Sequence, residues 1–124
     1  MKKLLIIPML FMCSIVIGQS KKIIDKPIRL QKFEIAQYDF IEEMNWKDAK
    51  AACAKLGKGW RLPTQDELNT MYVYKYKIGG FDGFGYWSST VVNKDIAWLQ
   101  GFAYGSQYQD SKDGRCFVRA VRAF

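Results

Sequence analysis

Thirteen consecutive residues, Leu56 to Leu68, constrain the fold of this chain more than any other stretch. They encode a helix stop, a short buried segment and a helix start in immediate succession. Gly57 is placed to take the left-handed conformation that closes a helix, and Pro63 fixes the backbone ahead of the next one. Thr64 with Glu67 spells a capping box, in which each residue satisfies a backbone amide of the other. Trp60-Arg61-Leu62 between them reads as a buried connection. None of these side chains is a nucleophile, so the stretch speaks to architecture and not to reactivity.

The helices on either side follow from apolar spacing. Asn45 is a good N-cap with Asp48 placed to meet the free amides of the first turn, and Trp46, Ala49, Cys53 and Leu56 recur on one face. The second helix runs from the Thr64 cap through Leu68, Met71 and Tyr72 to near Lys77, where Gly79-Gly80 ends it. Ile28 to Phe40 predicts one or two short strands. Later strands are expected at Tyr86–Thr90, Ile96–Tyr104 and Cys116–Val121, separated by turn signals at Gly105-Ser106 and Asp113-Gly114. Helices first and strands later predict an α+β domain with an antiparallel sheet.

The N-terminus carries Lys2 and Lys3, then 14 apolar-rich residues from Leu4 to Ile17, then Gly18. That is the pattern of a secretory signal peptide cleaved before Gln19, and the run is shorter than the roughly 20 residues that cross a bilayer. The chain therefore divides into a signal peptide (1–18), a short polar and basic linker (19–27), with order beginning near Ile28, and one domain (28–124). No integral membrane span is expected, and the destination is the periplasm or the outside of the cell, extracellular or at the cell surface. Removing Lys2 and Lys3 lowers the formal charge from +7 to +5, which favours anionic partners and also serves solubility. Export leaves Cys53 and Cys116 in an oxidising compartment, as a disulfide or as two separately buried thiols.

The chain has no histidine, which removes the commonest general base and metal ligand and every Ser-His or Cys-His nucleophile pair. Two cysteines 63 positions apart make no zinc site. The adjacent carboxylates Glu42-Glu43 and Asp66-Glu67 lie where helices begin, and helix starts explain them. Asp110, Asp113 and Gly114 read as a surface turn and not a calcium loop. The glycine-rich run Gly79 to Gly85 lacks the strand and capped helix of a phosphate cradle and reads as a loop. Tyr72, Tyr74 and Tyr76 among lysines could stack on bases or sugars, but helix packing accounts for them and export argues against nucleic acid. The candidate binding residues are Tyr104, Gln107 and Tyr108 around the Gly105-Ser106 turn, where phenol rings can stack on pyranoses and an amide can pair with hydroxyls.

The residues Trp46, Ala49, Cys53, Leu56-Gly57, Gly59-Trp60-Arg61-Leu62-Pro63-Thr64, Glu67-Leu68, Gly79-Gly80-Phe81, Tyr86-Trp87-Ser88-Ser89-Thr90, Ala97-Trp98 and Val118-Arg119-Ala120-Val121-Arg122 together resemble a bacterial family. It is the Lcl C-terminal domain, named for the C-terminal region of collagen-like proteins and a domain of unknown function. The resemblance covers residues 33–124. It implies a C-type-lectin-like fold, related also to formylglycine-generating and sulfatase-modifying enzymes, with two helices flanking a small twisted antiparallel sheet. It further implies Trp60, Leu62, Trp87 and Trp98 as core residues and Arg61 as a hydrogen-bonding strut. The calcium-binding Glu-Pro-Asn, Gln-Pro-Asp and Trp-Asn-Asp motifs of lectins are missing from the sequence, and the cysteine pair of the copper enzymes is not reproduced. The expectation is an exported, non-catalytic domain that binds a glycan or a protein without metal or cofactor. A cryptic enzyme of that fold and a purely structural envelope protein are the alternatives.

Overall fold

The computed structural model describes residues 22–124, so the expected signal peptide and its cleavage site lie outside the described residues. The elements are β1 (Ile28–Arg29), β2 (Phe33–Ile35), α1 (Trp46–Lys55), α2 (Gln65–Val73), α3 (Lys75–Ile78), β3 (Gly85–Val91), β4 (Ile96–Gly101), β5 (Gln107–Ser111) and β6 (Val121–Ala123). The strands form two antiparallel sheets, β1-β2-β6 and β3-β4-β5, where one small sheet was expected.

Both long helices start as their caps dictate. Asn45 Oδ1 accepts the Asp48 amide at 2.9 Å, and the Thr64–Glu67 capping box is complete. Arg61 is the expected strut, donating to both Glu67 carboxylate oxygens at 2.6 and 2.9 Å. α1 buries Ala49 and Cys53, and α2 buries Leu68 and Met71. The expected single second helix breaks at Tyr74, where φ −98° and ψ 19° interrupt the ladder between α2 and α3. Gly79, at φ +82°, then ends α3.

Several expectations need correction. Residues 22–27 are not merely a linker: 22–24 are helical, Ile23 is 7% exposed, and the carbonyls of Ile23 and Ile24 accept the Tyr38 and Gln37 amides. β4 ends at Gly101, because the Gly101 amide turns to Ser106 O at 2.9 Å and sends Phe102 to Tyr104 into the turn. β5 occupies what read as a loop tip. Cys116 to Ala120 make no regular ladder, although they run extended between two neighbours. The carbonyls of Cys116, Val118 and Ala120 accept from Met44, Phe40 and Ala36, while Phe117 exchanges bonds with Gly85 and Trp87.

The core is two apolar clusters. One holds Cys53, Trp60, Leu62, Trp87, Leu99, Cys116 and Val118; the other holds Phe33, Ile35, Leu68, Met71, Tyr86, Phe102 and Val121. Trp98 is half-buried and belongs to neither, since its β4 neighbours Ala97 and Leu99 take the inward positions. Cys53 and Cys116 are free, buried thiols in one cluster.

Candidate ligand-binding site

The β4–β5 hairpin presents different chemistry on its two faces because successive strand residues alternate. Gln100 pairs with Gln107, and Leu99 pairs with Tyr108. On the first face, fully buried Gln100 donates to Asn69 Oδ1 at 3.1 Å and Gly105 O at 3.0 Å. Gln107 accepts from Gln65 Nε2 at 2.9 Å and donates to Gln65 O and Gln100 Oε1, each at 3.3 Å. These amides tie the hairpin to the start of α2. At the turn, Gly105 has φ +79°, and a Cβ there would sit 2.5 Å from the Tyr72 ring, so only glycine lets the hairpin dock this closely.

The other face is hollow. A concavity of about 210 Å³ is walled by Phe84, Tyr104 and Tyr108 and floored by Gly83, Gly85, Leu99 and Gly101, with Ser106 at its edge. Its aromatic walls are open to solvent, Phe84 at 67%, Tyr104 at 89% and Tyr108 at 53%. The glycines make the hollow: a Cβ on Gly85 would come 2.8 Å from Leu99 Cδ1, and one on Gly101 would meet the Tyr108 ring at 3.5 Å. Phe84 is braced by stacking on Phe117, with centroids 6.2 Å apart and planes at 12°, and its carbonyl accepts the Phe102 amide at 3.1 Å. Apart from the two phenols, no lining side chain titrates. Such a surface suits flat, weakly polar rings stacked on aromatic faces.

The structure thus brings Tyr104 and Tyr108 together and sets Gln107 apart. Strand alternation turns Gln107 to the opposite face, where its amide is engaged by Gln65 and Gln100. Phe84 and the glycine floor were missed by sequence reasoning, although Gly79 to Gly85, dismissed as a loop, carried the signal: glycines interspersed with Phe81 and Phe84. A second hollow of about 300 Å³ adjoins, lined by Lys75, Tyr76, Phe102 and residues 79–83. Lys75 Nζ is held there by Phe102 O at 3.0 Å and by the Tyr72 ring at 4.5 Å. Tyr72 packs edge-on to Phe102, while Tyr76 is 91% exposed.

The two thiols and the Glu67 carboxylate are committed to structure. Burial pushes the Cys53 and Cys116 thiols up to about 12, with Asp110 and Glu43 adding to the effect on Cys116, so both are neutral near pH 7. Glu67 is engaged by Arg61 and the Thr64 cap. Among the described residues there is no group of three or more His, Cys, Asp or Glu able to hold a metal, and no helix long and apolar enough to cross a membrane.

Residues 24–122 match the model of a family described as the Lcl C-terminal domain. No curated protein matches the chain. Among solved structures it is similar to botrocetin, with TM-score 0.59 and 10% identity over 79% of this chain and 96% of that one. Botrocetin in complex with a von Willebrand factor A1 domain mutant gives TM-score 0.58, 10% identity and the same coverage. The snake venom toxin convulxin gives TM-score 0.59 and 17% identity over 79% of this chain and 95% of that one. At such identities the likeness concerns the fold, which is C-type-lectin-like.

Proposed function

Because the chain belongs to the Lcl C-terminal domain family and has a C-type-lectin-like fold, we propose that it is an exported, non-catalytic domain that binds a glycan or a protein at the cell envelope. The observation that carries the reading is the concavity itself: three exposed aromatic rings around a glycine floor, with no acid, base or thiol among them. Pyranose rings and apolar side chains both stack on such walls. The protein alternative draws on botrocetin, whose fold is shared and which is seen bound to a von Willebrand factor domain. Export is supported by Lys2, Lys3 and the apolar run behind them. In this reading Tyr104 and Tyr108 are the contact residues with Phe84 beside them, Gln107 shapes the hairpin that carries them, and neither metal nor cofactor takes part.

The test is a glycan array probed with residues 19–124, with and without calcium, alongside Tyr104→Ala/Tyr108→Ala. Binding is expected to persist in a chelator. The double variant is expected to lose about tenfold or more in affinity, as for two aromatic contacts of about 0.5–1.5 kcal/mol each. Its melting temperature should stay close to wild type, both rings being exposed. Binding that survives the double substitution, or that needs calcium, overturns the assignment.

A further inference from the structure

Residues 79–85 line both hollows, Gly83 being common to the two. From Gly79 to Phe84 they belong to no helix or strand, so their path is set by what grips them from outside. A buried polar cluster does so. Arg119, with a side chain 0% exposed, donates from Nε to Asp39 Oδ1 at 2.7 Å, from Nη1 to Ala36 O at 3.2 Å and from Nη2 to Gly79 O at 3.1 Å. Its guanidinium lies 4.3 Å from the Phe81 ring centroid. Tyr86, fully buried, donates its hydroxyl to Asp39 Oδ2 and accepts the Asp82 amide at 2.7 Å. Gly80 leaves room for the cluster, since a Cβ there would come 3.2 Å from Arg119 Nη2.

Asp39 is the member that organises the others. It holds the Arg119 fork at the angle that reaches Gly79. By accepting the Tyr86 hydroxyl's hydrogen bond it leaves that oxygen's lone pairs facing the Asp82 amide. A buried ion pair is a poor source of stability compared with packed apolar groups, but it fixes geometry where its donors reach specific backbone atoms. Here those atoms belong to the segment that shapes both hollows. We propose that Asp39, acting through Tyr86 and Arg119, is a positioning residue of this surface: it fixes the path of Gly79–Phe84 and with it the wall shared by the two hollows. This rests on the reading of the surface as a binding site.

The experiment is amide hydrogen exchange by NMR on the full chain without ligand, comparing wild type with Asp39→Asn, Asp39→Glu and Tyr86→Phe. Tyr86→Phe keeps the ring that packs on Phe81, Phe102 and Phe117 and deletes only the hydroxyl. In Asp39→Asn and Tyr86→Phe the Asp82 amide should shift upfield and exchange about five- to tenfold faster, as for one lost hydrogen bond, with Phe81–Phe84 following. Amides of β4 should stay within about twofold of wild type, and Asp39→Glu should restore most of the protection. Unchanged exchange at Asp82, equal acceleration in β4, or no rescue by Asp39→Glu each overturns the proposal. Should Asp39→Asn fail to fold, Asp39→Ser is read at the same amides in its place, and Tyr86→Phe reports on the Tyr86 contact only. An array without Tyr104-dependent binding would overturn the glycan reading of the surface and leave the exchange result standing.

Discussion

Trp87 and Trp60 are anchored on every side, and Trp98 is not. Trp87 is fully buried, with Nε1 donating to Met44 O at 2.8 Å. Trp60 is 4% exposed and carries the Arg122 guanidinium 4.7 Å from its ring centroid. Trp87→Ala and Trp60→Ala are each expected to cost about 3–5 kcal/mol in chemical denaturation. Trp98→Ala should cost about half that or less, because the half-buried ring leaves a smaller cavity. Losses below about 1 kcal/mol at Trp60 or Trp87 would place those rings on the surface. The residue type alone did not separate the three. What separates them is position: Trp98, between buried Ala97 and Leu99 on β4, is itself only half-buried. Strand alternation moved Gln107 away from Tyr108, and a two-residue reading of that strand would have found it.

Helix ends were legible because caps are local, and sheet partners were not because they are distant in sequence. Asn45, Thr64 and Glu67 act within three residues of themselves, whereas β2 pairs with β6 through Glu34 and Arg122. β5 escaped notice because all five of its residues are exposed, leaving no apolar alternation to read. The cap at α2 makes a prediction of its own. Burial pushes the Glu67 carboxyl up, but the Arg61 hydrogen bonds, the Thr64 amide and hydroxyl, and the Arg61 charge outweigh it and hold it below the ordinary 4.5. The folded protein therefore binds this proton less readily than the unfolded chain. Its contribution is present above about 4.5 and lost as pH falls through the folded value. Glu67→Gln is expected to cost about 1 kcal/mol at neutral pH, in line with a lost cap bond, and to reduce the acid-side loss seen in wild type. Equal acid sensitivity in the two proteins would show that the cap is not the titrating element.

At the scale of the molecule, the described residues are tied in at both of their ends. β6 completes the sheet begun by β1 and β2, Arg61 and Val121 exchange backbone bonds at 2.9 Å, and Ile23 packs into the cluster that holds Trp60 and Trp87. This closure bears on where cleavage can trim the chain if it is exported as proposed. A cut before Gln19 spares Ile23, whereas a start at Ile28 removes it together with the carbonyls that cap the Gln37 and Tyr38 amides. A chain beginning at Gln19 should therefore be more stable than one beginning at Ile28 by about 2–4 kcal/mol, the cost of one lost core aliphatic side chain and its backbone partners. On the proposed export, the released protein should show the intact mass of residues 19–124, because Val16 and Gly18 offer the small-residue site behind the apolar run. A mass retaining Met1 to Gly18 would refute cleavage there. Equal denaturation midpoints for the two starts would return residues 22–27 to the role of a plain linker.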